Sequence, residues 1–156
     1  MPEIAGSREG RGLKIGVAVA EFNGFVTVGL LEGALGALAA AGVEDPLVVR
    51  VAGSFELPVA ARARGEAGCD AVVALGAVIK GETDHYEHVA AAAIAGLQQV
   101  AVQTGVPVAL GVLTARKAEQ ARARARPGPG NKGAEAADAA LQAANALRRL
   151  RGGAGE

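Results

Sequence analysis

The sequence predicts an α/β fold of three layers, a four-stranded parallel sheet with helices on both faces. Three observations predict it. Short, nearly continuous apolar runs alternate with longer segments whose apolar residues recur at helical spacing. The short runs are apolar on both faces, as strands buried between two helical layers must be. The chain of 156 residues is long enough for one compact domain that folds without disulfide or metal staples.

The elements follow in order. Residues 1–12 carry Pro, Gly and charge without periodicity and read as a flexible arm. Leu13 to Ala20 (LKIGVAVA) reads as a buried strand in which Gly16 allows close packing. Val28, Leu31, Leu35 and Leu38 then repeat at helical spacing, with Gly42 as the stop. Leu47 to Ala52 (LVVRVA) is the second strand, and a helix starts near Pro58, a residue tolerated in a first turn. Ala71 to Ile79 is the third strand, and Ala90, Ala93, Leu97 and Val100 form one face of the helix after it. Val106 to Leu113 (VPVALGVL) is the fourth strand, with Pro107 at its start. A short helix around Ala115 to Arg124 is broken by RPGPGN, and a last helix runs from Lys132 to Leu150 on an apolar face of Ala137, Leu141, Ala144 and Leu147. A single domain over residues 13–150 follows, with 151–156 as a frayed tail. The many alanines on several helix faces are either inner packing or flat surfaces that meet other copies of the chain, and four strands alone favour an oligomer.

Composition excludes several classes of function. Sixteen Lys+Arg balance sixteen Asp+Glu for a net charge of +0, which argues against a nucleic-acid partner. The apolar run Ala71 to Ile79 falls short of the ~20 residues of a membrane span, so no membrane partner is expected. The N-terminus lacks an apolar signal core and Cys69 is the single cysteine, so a cytoplasmic protein is the expectation.

The chemistry should collect beyond the carboxyl ends of the strands, where open α/β sheets bind ligands. Glu21-Phe22-Asn23 follows the first strand, Gly53-Ser54-Phe55-Glu56 the second, Lys80 to Tyr86 the third, and Thr114 to Lys117 the fourth. Three of the four aromatics and one of the two histidines stand on this rim. The loop after the third strand joins a glycine to a helix start, where free N–H groups attract an anion, with Lys80 and Thr83 as added donors. Asp84 and Glu87 have the spacing of a helix-capping pair, the simpler account of those acids. His85 falls in the first turn, against the positive end of the helix dipole, a place that suits a neutral imidazole. It is either a proton-transfer group or a surface histidine that packs or caps. A metal is poorly supported, because His85 and His88 would need a third ligand that only Asp or Glu could supply. Ser54 and Glu56 can grip the hydroxyls of a polyol or cap the next helix. Phe22 can stack on a planar ring or plug the core. GPGNKGAEAA, Gly128 to Ala137, is not a P-loop, since Gly133 follows Lys132, yet it opens a helix and could hold an anion. Arg122, Arg124 and Arg126 alternate before it, in a pattern more often solvated surface than a site.

Four blocks in this order resemble the 6,7-dimethyl-8-ribityllumazine synthase family: EFN at Glu21 to Asn23, GSFELPVAA at Gly53 to Ala61, GAVIKGETDHYEHV at Gly76 to Val89, and GNKGAEAA at Gly130 to Ala137. The resemblance covers roughly Leu13 to Leu150. It implies a flavodoxin-like subunit in a homopentamer, and in some members twelve pentamers close into a 60-subunit icosahedral shell. It implies condensation of 5-amino-6-(D-ribitylamino)uracil with 3,4-dihydroxy-2-butanone 4-phosphate through an imine, with loss of phosphate and water and with no metal or organic cofactor. By the same resemblance Phe22 stacks on the pyrimidine, while Ala52, Phe55, Val78, Ile79 and Lys80 surround the ring. Ser54 and Glu56 hold the ribityl chain, and Gly81, Glu82 and Thr83 form the phosphate turn. His85 transfers protons. Leu110, Arg124, Lys132 and the supporting Glu135 come from the adjacent subunit. Many members carry Phe where Leu110 stands, Arg at Glu21 and an aromatic at His88, and Pro127 to Pro129 replaces a more usual Thr-Lys-Ala. The alternative function is a catalytically weak ligand-binding or cage-forming protein on the same scaffold.

Overall fold

The computed structural model describes residues 2–152. Four parallel strands, β1 (Ile15–Ala20), β2 (Leu47–Val51), β3 (Ala71–Ile79) and β4 (Val108–Ala115), pair in the order β2-β1-β3-β4. Five helices connect and extend them: α1 (Gly24–Ala41), α2 (Leu57–Glu66), α3 (His85–Thr104), α4 (Ala118–Ala123) and α5 (Lys132–Leu150). This is the three-layer arrangement expected from the alternation of runs, and it is of the flavodoxin-like type that the resemblance implies.

The strands sort their side chains by the period of two. Ile15, Val17 and Val19 of β1 join Ala71, Val73 and Leu75 of β3 in a core shared with α1, α4 and α5. Ala18, Val72, Ala74, Val78 and Val112 face the other way, into a core with α2 and α3. β1 and β3 are apolar throughout because both of their faces are covered. β2 and β4 lie at the edges, and Leu47 and Leu110 stay about half exposed there. Gly16 packs as expected, since a Cβ there would press on Cys69 Sγ and Arg64.

Helix ends follow local chemistry. Gly42 ends α1 at φ 94°, its N–H bonded to the Ala39 carbonyl. Pro58 sits in the first turn of α2. Asn131 caps α5 by accepting from Ala134 N at 3.0 Å.

Several boundaries differ from the sequence reading. β1 starts at Ile15 rather than Leu13, and β4 runs two residues later than expected, so Thr114 and Ala115 belong to the strand and not to the loop beyond it. The reason is pairing: the nine-residue β3 offers Val78 and Ile79 as partners to Thr114 and Ala115. α4 starts at Ala118 rather than near Ala115, because Gln120 Oε1 accepts from the N–H groups of Arg116 and Lys117 and holds them outside the helix. By length and composition alone α1 is apolar enough to cross a membrane, with mean hydropathy 1.6. Its Val26, Leu30, Leu31, Ala34 and Leu38 are buried in the domain core. A count of uninterrupted runs overlooks it because Thr27, Glu32 and its glycines divide the apolar stretch.

Residues 2–10 form no helix or strand and run along α5. Asn145 Nδ2 donates to the Ser7 and Glu9 carbonyls at 2.9 and 2.8 Å, Arg149 donates to the Ala5 carbonyl at 3.2 Å, and Gly10 N donates to the Ala41 carbonyl at 2.9 Å. Of the tail 151–156, residues 153–156 lie outside the described residues.

Candidate active site

The first wall is built at the end of β1. Glu21 N and Phe22 N donate to the Val51 and Ala52 carbonyls at 2.7 and 2.9 Å, so pairing with β2 continues past the strand. Asn23 then turns the chain in the left-handed region at φ 61°, a conformation asparagine tolerates better than most residues. Its Nδ2 donates to the Ala77 carbonyl of β3 at 2.8 Å. Phe22 is thereby held on the rim with 70% of its surface exposed, so it is no core plug. An aromatic face kept in water by a fixed backbone is a platform for another ring.

The second wall follows β2. Residues Ser54–Glu56 form one 3₁₀ turn before α2. Glu56 Oε1 accepts from Gly53 N at 2.9 Å, which ties the acid to backbone. Glu56 therefore closes the short turn and does not cap α2, whose N-terminus has no side-chain cap, so the expected capping of that helix by Ser54 or Glu56 does not form. Ser54 is 5% exposed, yet its Oγ has no hydrogen-bond partner among the described residues. A Cβ at Gly76 of β3 would collide with that hydroxyl, so the glycine is what leaves it room. An unpartnered buried hydroxyl costs about 1–3 kcal/mol unless something bonds to it. Phe55 projects outward, mostly exposed.

The third wall is the loop after β3. Lys80 N donates to the Ala115 carbonyl at 2.9 Å, which fixes where the loop leaves the sheet. Asp84 precedes α3 but its side chain makes no capping bond, so the expected pairing with Glu87 does not form. Thr83 Oγ1 accepts from His85 N at 3.3 Å instead. His85 opens α3 as its first residue, with an exposed ring.

These walls enclose a cleft of about 530 Å³, well within the size of small-molecule sites. It lies where the strand order reverses between β1 and β3. Ten of the residues singled out in the sequence line it: Phe22, Ala52, Ser54, Phe55, Glu56, Val78, Ile79, Gly81, Thr83 and His85. Lys80 and Glu82 belong to the same loop but do not line it. Gly53 and Tyr86, placed on the rim by the sequence but given no role, line it as well, as do Ala77 and Val89, which were not singled out. Tyr86 and Val89, three apart on α3 beside His85, could have been found by helical spacing.

Four residues stand apart from this cleft: Leu110, Arg124, Lys132 and Glu135. Leu110 is half exposed on the edge strand β4. Arg124 follows α4, its Nη1 donating to the Gln120 carbonyl at 2.9 Å. Lys132 opens α5 and pairs with Glu135 at 3.0 Å. Lys132 N donates to the Arg124 carbonyl at 2.8 Å, so the backbones that carry the two cations are joined. Arg122 lies over the Phe25 ring at 4.8 Å, which gives it a packing partner. No Lys or Arg is among the lining residues of the cleft itself.

The fold and the cleft define a class: a flavodoxin-like α/β protein with a small-molecule site beyond the carboxyl ends of its inner strands. A family profile for 6,7-dimethyl-8-ribityllumazine synthase matches residues 12–148. The curated 6,7-dimethyl-8-ribityllumazine synthase of Kineococcus radiotolerans is 51% identical over 149 residues, which cover 94% of this chain and 91% of that protein. The chain belongs to the 6,7-dimethyl-8-ribityllumazine synthase family, a family of riboflavin-biosynthesis transferases.

Proposed function

We propose that this enzyme condenses 5-amino-6-(D-ribitylamino)uracil with 3,4-dihydroxy-2-butanone 4-phosphate to 6,7-dimethyl-8-ribityllumazine in sites shared between neighbouring subunits of a homo-oligomer. One observation carries the reading. The cleft offers a ring platform, a free buried hydroxyl and an imidazole, but no cation for a phosphorylated substrate, while the Arg124–Lys132 pair lies outside it.

In this reading the pyrimidine stacks on Phe22 above the apolar floor of Ala52, Val78 and Ile79. The ribityl hydroxyls satisfy Ser54 Oγ, which has no partner among the described residues. Gly81, Glu82 and Thr83 form the phosphate turn at the start of α3. A neighbouring copy brings Leu110 against the ring and Arg124 and Lys132 against the phosphate, with Glu135 steadying Lys132. The substrate amine attacks the ketone carbonyl, and loss of water gives the imine. Phosphate then leaves by elimination, and ring closure releases a second water. His85 carries protons between these steps. Holding amine and carbonyl together makes the first step nearly intramolecular. The two cations and the helix-end amides stabilise the departing charge.

The test is direct. The purified protein is mixed with both substrates, and lumazine absorbance and free phosphate are followed together. Both should rise in equal amounts. Binding of the pyrimidine without either product would leave the non-catalytic binding or cage protein as the better account.

A further inference from the structure

The geometry points to Asn131 as the positioning residue for the Arg124–Lys132 pair, an inference that rests on the phosphate role proposed for those two cations. Asn131 is 3% exposed, and its amide is used at both ends. Nδ2 donates to the Gly29 carbonyl of α1 at 3.1 Å and to the Arg126 carbonyl at 3.0 Å. Oδ1 accepts from Ala134 N at 3.0 Å, in the first turn of α5. Only an NH₂ group can face two carbonyls, so these partners fix the orientation of the amide.

One side chain therefore joins three segments: α1, the stretch after α4, and the start of α5. The two cations sit on either side of this joint. Lys132 is the next residue in the chain, and its N–H donates to the Arg124 carbonyl at 2.8 Å. The surroundings are shaped to admit the joint. A Cβ at Gly33 of α1 would overlap the Asn131 amide, and one at Gly29 would overlap the Ala125 carbonyl. The segment between the cations contains Pro127 and Pro129, with Gly128 and Gly130 at φ 94° and 87°, and forms no helix or strand of its own. Asn131 anchors both ends of it. Arg124 and Lys132 have long, exposed or partly exposed side chains, so the precision of their charges depends on how firmly their backbones are held.

A mere helix cap would predict a different response to mutation, and this separates the two roles. Asn131→Ser and Asn131→Asp both keep an N-cap oxygen for Ala134 N but remove the two donations. Each variant is tested as the full assembled enzyme for kcat and for the KM of each substrate, with Arg124→Ala beside them. The expected result is a rise of roughly ten- to a hundredfold in the KM of the phosphorylated substrate, with the KM of the pyrimidine unchanged. Asn131→Thr, which also keeps a cap oxygen and adds no charge beside Lys132, serves as the judge if the serine variant does not fold. Unchanged KM values, or an equal rise in both, would overturn the inference. If Arg124→Ala leaves the KM of the phosphorylated substrate untouched, the phosphate reading itself fails, and that outcome is distinct from a failure at Asn131 alone.

Discussion

His85 and Phe22 face the same cleft from different walls, and each gives a separate kinetic expectation. His85 is held by its backbone, since its N–H is bonded to Thr83 Oγ1, and its ring is exposed. His85→Ala should lower kcat by about a hundredfold, the lower range for a lost general acid–base, with assembly unchanged by sedimentation. Turnover at the parent rate would remove its role. Phe22 is fixed by the Asn23 turn and the Ala52 carbonyl, so truncation removes the ring but not the loop. Phe22→Ala should raise the KM of the pyrimidine by about tenfold, the worth of one stacked base, and leave that of the phosphorylated substrate alone. Steady-state kinetics with each substrate varied in turn reads both. At this scale the sequence told which residue types stand on the rim. It did not tell that Ser54 Oγ would be left without a partner, because that depends on Gly76, twenty-two residues away on β3.

Strands and helices were legible wherever both faces or a full stripe were apolar. Ala71–Ile79 and Lys132–Leu150 have the bounds read from the chain, since β3 is buried on both sides and α5 carries one apolar face. β4 was misplaced because it is an edge strand: its exposed Leu110 and Thr114 interrupt the apolar pattern, and only pairing to β3 defines where it ends. The approach of α5 to α1 was also invisible, since it depends on glycines whose partners lie a hundred residues distant. A Cβ at Gly133 would run into the Leu30 carbonyl. Gly133→Ala should therefore destabilise the fold by about 1–3 kcal/mol, read as a lower midpoint in thermal unfolding. An unchanged midpoint would mean that the α1–α5 packing gives way at little cost.

On the proposed function, the whole subunit presents half a site. Its cleft carries the platform and the imidazole, and its cations lie elsewhere on the surface. The assignment of the cations to a neighbouring copy comes from the family resemblance and belongs to the proposal, because nothing in the order of residues says which copy a side chain serves. Co-expression of His85→Ala and Arg124→Ala chains tests it most directly. Each parent should be impaired alone. In mixed rings about a quarter of the interfaces would join an intact imidazole to an intact arginine, so activity should recover to about a quarter of the unaltered enzyme. A mixture no more active than the average of its parents would contradict the shared site.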